Sequence, residues 1–323
     1  MSSDEEVREV EETNEVLFPE DRKINKIKNK EVRSRLFVKL KRQKRKAKIA
    51  EKKKRKEEGT NKPSKPTKTI ESTREEDDTA FDKLDEEGNL EVRKDLENSE
   101  YAPYFARQYE PKVLITFSDN PAKKTMLFGR ELQRIIPNAL CRLRKRIPVK
   151  NIVESCNREG YTDILIINEN MKQMNGLMVI HLPEGPTANF RLSSVRISKE
   201  LRRKYQEISA HRPEVILNNF STRLGNSVAS MLAALFHYDP EFQGRRAVTF
   251  HNQRDYIFFR HHRYEFKKGE KGQKVGLREL GPRFTLKLRW VQSGVFDGKT
   301  AEYDWIISGR RHDLETSRRR FFL

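Results

Sequence analysis

The stretch GPRFTLKLRWVQSG, residues 281–294, places cations at Arg283, Lys287 and Arg289, with Thr285 in the same alternating row. Alternate residues of a strand share a face and stand roughly 6.5–7 Å apart, close to the phosphate spacing of RNA. Phe284, Leu286, Leu288 and Trp290 fall on the other face by the same alternation, a face made for a core. The chemistry this predicts is electrostatic contact with a polyanion, with no bond made or broken. The alternative is an edge strand whose charges only guard against aggregation.

Other cations join this set. Arg191, with Arg196 nearby, occupies the corresponding row of an earlier strand, ANFRLSS. Arg260 and Arg263 interleave with Phe258, Phe259, Tyr264 and Phe266 in YIFFRHHRYEF. Aromatics among cations suit stacking on unpaired bases, although most of these phenylalanines also read as core. Arg245 and Arg246 precede the strand AVTFHN, and Lys267 and Lys268 open the stretch KKGEKGQKVG, which reads as a flexible basic loop for phosphates. Near the N-terminus, Lys41, Arg42, Lys44, Arg45 and Lys46 complete the candidate RNA-contacting residues.

Patterns for catalysis are missing from the sequence. Gly269, Gly272 and Gly276 lack the Lys-Ser/Thr ending and strand–helix frame of a nucleotide loop. His261 and His262 are adjacent, so on a strand they point to opposite faces, and His251 and His237 stand at no ligand spacing. Ser118-Asp119 ends a strand without a base, and neither a GxSxG elbow nor an HExxH helix occurs. Cys141 and Cys156 have no CxxC or CxxH setting and read as small hydrophobes of a reducing compartment. No catalytic residue, metal site or cofactor is expected.

The 323 residues carry a formal charge of +19, but the charge is not uniform. Residues 1–20 sum to −7, residues 21–58 to +14, residues 59–70 to +3 and residues 71–100 to −9. Nearly all the surplus therefore lies beyond residue 100, on the globular part, which favours a polyanionic partner. The first twenty residues lack the basic and apolar regions of a secretory signal, and no apolar run reaches bilayer length. A soluble intracellular protein without membrane contact is expected.

The expected organisation has six parts. An acidic disordered tail (1–24) precedes a basic helix (25–58), rich in helix formers and free of Pro and Gly. A Pro/Ser-rich to acidic linker (59–100) follows, then two globular segments (101–210 and 211–296) and a basic aromatic tail (297–323). The two globular segments repeat one pattern. PEVILNNFS at Pro213 parallels PKVLITFS at Pro111, an offset of 102. GPRFTLKLR at Gly281 parallels GPTANFRLS at Gly185, an offset of 96. Helices and strand pairs recur between them, which predicts an internally duplicated α/β fold, each half a mixed sheet with packed helices, plus the long basic N-terminal helix.

These paired halves, YIFFRHHRYEF and above all ELGPRFTLKLRWVQSG resemble the Brix-domain family of eukaryotic ribosome-assembly factors, over roughly residues 111–294. The resemblance implies two halves similar to the anticodon-binding domains of class II aminoacyl-tRNA synthetases. The flanking NKEVRSRLFVKLKRQKRKAKIAEKKKRKEE and FDGKTAEYDWIISGRRHDLETSRRRFFL are similar to segments of one branch of that family. That likeness implies nucleolar assembly of the large (60S) subunit, pre-ribosomal RNA processing, and partners among other assembly factors, including a small protein of the maintenance-of-killer type. A scaffold that binds mainly protein, with incidental RNA contact, is the alternative.

Overall fold

The computed structural model describes residues 24, 27–57, 67–75, 79–80, 94–95, 97–201, 208–269, 272–296, 302–307 and 321–323. The acidic tail, most of the linker and most of the C-terminal tail therefore lie outside the described residues. The chain divides into two compact units, residues 1–68 and 69–323.

The first unit contains α1 (Lys30–Glu57), 28 residues and about 42 Å at 1.5 Å per residue. Asn29 caps it, its Oδ1 accepting from the Glu31 and Val32 amides at 2.9 and 3.3 Å. The helix thus starts after the Asn25 expected from composition, at the second asparagine, Asn29, whose side chain caps it.

The second unit is built on one eleven-stranded mixed sheet. Its first half runs α2 (Ala102–Phe105), β1 (Val113–Phe117), α3 (Lys123–Ile135), β2 (Ala139–Cys141), α4 (Val149–Arg158), β3 (Asp163–Asn170), β4 (Gln173–His181) and β5 (Thr187–Arg196). Its second half runs β6 (Glu214–Asn218), α5 (Arg223–Ala234), β7 (Arg246–Gln253), β8 (Tyr256–Gly269), β9 (Gly272–Glu279), β10 (Arg283–Gln292) and β11 (Tyr303–Ile306). The strand order is β2-β1-β3-β4-β5-β10-β8-β7-β6, with β9 added beside β8 and β11 beside β10. The halves meet where β5 and β10 pair antiparallel, so the two expected sheets are one.

One face of the sheet carries α3 and α5 over a continuous core that includes Phe117, Phe128, Phe190, Phe236, Phe259 and Phe284, all essentially buried. Phe259 and Phe284 stack with centroids 4.3 Å apart, and Phe128 meets Phe284 edge-on at 5.4 Å. Each such ring contributes about 2–3 kcal/mol by leaving water. On the other face α4 covers β1, β3 and β4, its Val153 and Cys156 packing with Leu114, Ile164, Ile166 and Ile180. Burial pushes the Cys156 thiol up to about 11, which leaves it a neutral packing group.

The duplication is real but incomplete. β1 and β6 begin 101 residues apart, β3 and β7 83 apart, and β5 and β10 96 apart. The offset drops because the second half has no counterpart of β2 and α4, and it recovers because β8 and β9 add a long hairpin. The expectation of the same elements in the same order is corrected accordingly. That hairpin also replaces the expected flexible loop: KKGEKGQKVG continues two paired strands, with Phe266 opposite Val275 and Lys267 opposite Lys274.

β2 is only three residues long, a single 3-10 turn, Ser198–Glu200, follows β5, and one further expectation shifts. Trp290 does not share a face with Leu288. Leu288 pairs Phe190 while Trp290 pairs Asn189, so Arg289 is an extra, bulged residue and Trp290 turns to the α4 side, stacked 6.3 Å from Phe296.

Candidate nucleic-acid interface

Loss of the β2 and α4 counterparts leaves the second half's sheet uncovered on one face among the described residues. Side-chain alternation and register bring to this face Tyr256, Phe258, Arg260, His262, Tyr264 and Phe266 of β8, Arg283, Thr285 and Lys287 of β10, and Arg191 and Arg196 of β5. Gly281 lets β10 start there. At φ +76 it holds a conformation that side chains disfavour, and a Cβ would stand 2.7 Å from the Leu201 side chain.

The cations form rungs across strands, in place of a single row along β10. Lys287 stands opposite Arg191, and Arg283 opposite Arg196. Directly opposed side chains on a sheet approach to about 4.5–5.5 Å, so each rung holds like charges together. The Arg191 and Arg196 side chains are exposed and make no ion pair or hydrogen bond among the described residues. Lys287 lies over Tyr256, its Nζ 4.8 Å from the ring centroid, and forms no ion pair among the described residues. Arg283 does meet a carboxylate, Glu279 at 3.5 Å, which also lies 4.0 Å from Arg260. Arg289 has left the row through the bulge, and Thr285 is buried, its backbone carbonyl accepting from Ser193 Oγ.

Aromatics accompany the cations. Arg260 lies 5.8 Å from the Phe258 centroid and Arg245 6.0 Å from that of Phe266, which is 54% exposed. Burial, more than any charge, lowers the Arg260 and His262 pKa values. Phe259 belongs to the core, the one member of the expected aromatic set that alternation turns to the other face.

The remaining candidates separate. Arg246 is 2% exposed and belongs to no surface. Its Nη1 donates to the Ser209 and His211 carbonyls at 2.6 and 2.5 Å, and its Nε donates to His261 Nε2 at 3.2 Å. Burial lowers its pKa to about 10. Arg263 and Lys267 are exposed on the opposite face of the hairpin, and the Lys268 side chain lies outside the described residues. On α1, Lys41, Arg42, Arg45 and Lys46 are exposed and Lys44 is half-buried. Sequence reasoning missed Tyr256 and Glu279, whose roles depend on strand register.

No group of three or more His, Cys, Asp or Glu residues among the described ones could hold a metal ion. His261 is buried, its Nδ1 2.9 Å from the Gly281 carbonyl, and His262 lies on the opposite face. No helix among the described residues is long and apolar enough to cross a membrane.

The Brix domain model matches residues 118–290, from the end of β1 into β10. The chain belongs to the Brix-domain family. The match holds every cation of the uncovered face and excludes α1. Beyond the Brix domain the likeness continues: a Drosophila melanogaster protein named probable ribosome production factor 1 is 58% identical over 92% of this chain and 74% of its own length. The ribosome production factor 1 of Pongo abelii is 48% identical over 95% of this chain and 86% of its own length. A solved structure of a probable ribosomal biogenesis protein from Aeropyrum pernix K1 is 16% identical, with a TM-score of 0.42, over 55% of this chain and 96% of that one.

Proposed function

We propose that this Brix-domain protein is a ribosome biogenesis factor that binds precursor RNA of the large subunit across the uncovered face of its second half. The names carried by its relatives support the role in ribosome biogenesis. The like-charged rungs of Lys287–Arg191 and Arg283–Arg196 support RNA as the ligand. Placing like charges opposite one another costs stability that a polyanion lying across both rungs offsets. The carrying observation is that Arg191 and Arg196 stand exposed there without a protein partner among the described residues.

Recognition on this face rests on phosphates, helped by stacking on Tyr256 and Phe266, and is a matter of binding and holding rather than of catalysis. Arg245, Arg260, Arg283 and Lys287 act together there, and α1 supplies a second basic element through Lys41, Arg42, Lys44, Arg45 and Lys46. Arg263 and Lys267 offer further phosphate contacts on the opposite face of the hairpin, and Lys268 follows them in the chain. The nucleus and nucleolus are the place of action, with other assembly factors, including a maintenance-of-killer-type protein, as partners.

Binding of structured ribosomal RNA fragments between about 50 and 200 mM salt tests this reading. Six or more phosphate contacts make affinity fall by about 10³-fold or more over that range. Arg191→Ala with Lys287→Ala reduces the log–log salt slope by about 1.5–2 if both cations touch phosphates. A flat salt response overturns RNA binding and leaves the protein-scaffold alternative.

A further inference from the structure

The incomplete duplication exposes a second feature, separate from the basic face. β1 and β6 are equivalent five-residue strands, each parallel to the strand on its inner side, β3 or β7. The outer edge of β1 is paired by β2, with Val113, Leu114 and Ile115 opposite Ala139, Leu140 and Cys141, and all five β1 residues are buried. β6 ends the sheet: among the described residues no strand pairs its outer edge, and Ile216 and Leu217 are 43% and 39% exposed.

Folded proteins usually guard such an edge with a charge, a proline or a bulge at its centre. Here the centre is Ile216-Leu217, and the polar residues, Glu214 and Asn218, stand only at the strand's two ends. Beside Leu217 opens a groove of about 720 Å³ lined by Ala102, Pro103, Phe105, Ala106 and Ala229, with Phe105 itself 52% exposed. An unpaired backbone edge next to an apolar groove is the arrangement that strand addition uses: main-chain hydrogen bonds give affinity, and pockets for alternate side chains give selectivity.

We propose that the outer edge of β6 is a docking strand for an extended segment of a partner protein. The segment lies parallel to Glu214–Asn218, as β2 lies on β1, and sends alternate apolar side chains into the groove beside Leu217. The first half of the molecule displays the geometry of the occupied site. RNA does not suit this edge: the groove is lined mainly by apolar side chains, and the charged side chain on its lining, Glu97, is an anion. The proposal does not depend on RNA binding by the opposite part of the surface.

The test uses the full chain with a photoreactive amino acid at position 217, expressed in cells in place of the native protein, irradiated, treated with ribonuclease and mapped by peptide sequencing. The expected product is one discrete peptide of a different protein. That peptide, synthesised and added to the purified full chain, slows amide exchange of residues 214–218 at least tenfold. Phe105→Lys, in the wall of the groove, abolishes both the crosslink and the protection. That side chain is 52% exposed, so the melting temperature stays unchanged; should the variant melt early, Ala106→Lys repeats the measurement. Crosslinking to RNA, to a second copy of this chain or to another part of the same molecule overturns the proposal, as does a peptide that leaves the β6 amides unprotected or the absence of any crosslink.

Discussion

Lys287 and Arg191 stand directly opposite each other across β10 and β5, although 96 residues separate them in the chain. Like charges in this position are mutually destabilising by a few tenths to about 1 kcal/mol. Lys287→Gln is therefore expected to raise the urea midpoint slightly while weakening RNA binding. Paired measurement of unfolding and of RNA affinity on the same variant checks this. A loss of stability would mean that the contact with Tyr256 outweighs the repulsion.

Arg245 and Arg246 are neighbours with opposite roles. Arg246→Ala removes donors from the Ser209 and His211 carbonyls and from His261, and is expected to cost about 2–4 kcal/mol of stability, as for lost hydrogen bonds from a buried cation. Arg245→Ala removes an exposed guanidinium over Phe266 and leaves stability within about 0.5 kcal/mol, while RNA affinity falls. Denaturant unfolding and RNA titration of the two variants separate them.

His261 links the fold to pH. Burial first, and then the Arg246 charge, lower its pKa to about 3, so it stays neutral in the native state while its unfolded counterpart protonates near 6.5. Below 6.5 the unfolded chain binds the extra proton. The stability due to this group is thus complete above about pH 6.5 and declines progressively as pH falls toward 3. Because other groups titrate in the same window, the measurement is a difference: the melting temperature of His261→Gln is expected to fall less steeply with acid than that of the wild type.

The last three residues dock on the fold they follow. Phe322 and Leu323 donate their backbone N–H groups to Asp255 Oδ1 at 2.8 and 3.0 Å, Thr222 Oγ1 donates to the Phe322 carbonyl at 2.7 Å, and Asn252 Nδ2 donates to the Leu323 carbonyl at 2.9 Å. Gly225 in the first turn of α5 permits the approach, since a Cβ there would stand 2.8 Å from the Leu323 carbonyl carbon. Leu323 is 2% exposed, so Leu323→Ala is expected to cost about 2–5 kcal/mol. Asp255→Ala leaves two amides without their acceptor and costs about 2–3 kcal/mol. Thermal unfolding checks both, and an unchanged midpoint in both would mean that the docked tail contributes nothing. Residues 322–323 thus meet α5 and the β7–β8 turn.

What the sequence determined by itself was whatever repeats at short range. Alternation marked β10 as a strand with one apolar face, helix-forming composition without Pro or Gly marked the long basic helix, and the paired Gly-Pro strands at Gly185 and Gly281 revealed two halves. Opposite-face placement of His261 and His262 followed from the same period of two. The tertiary structure alone decided which side chains meet. The missing strand and helix of the second half were hidden because the β8–β9 hairpin restores most of the spacing. The bulge at Arg289 turned Trp290 away from Leu288, and Arg246 was drawn inside by carbonyls from distant segments. Each of these is set by register between strands far apart in the chain, where a shift of one residue exchanges the two faces and no local period records it.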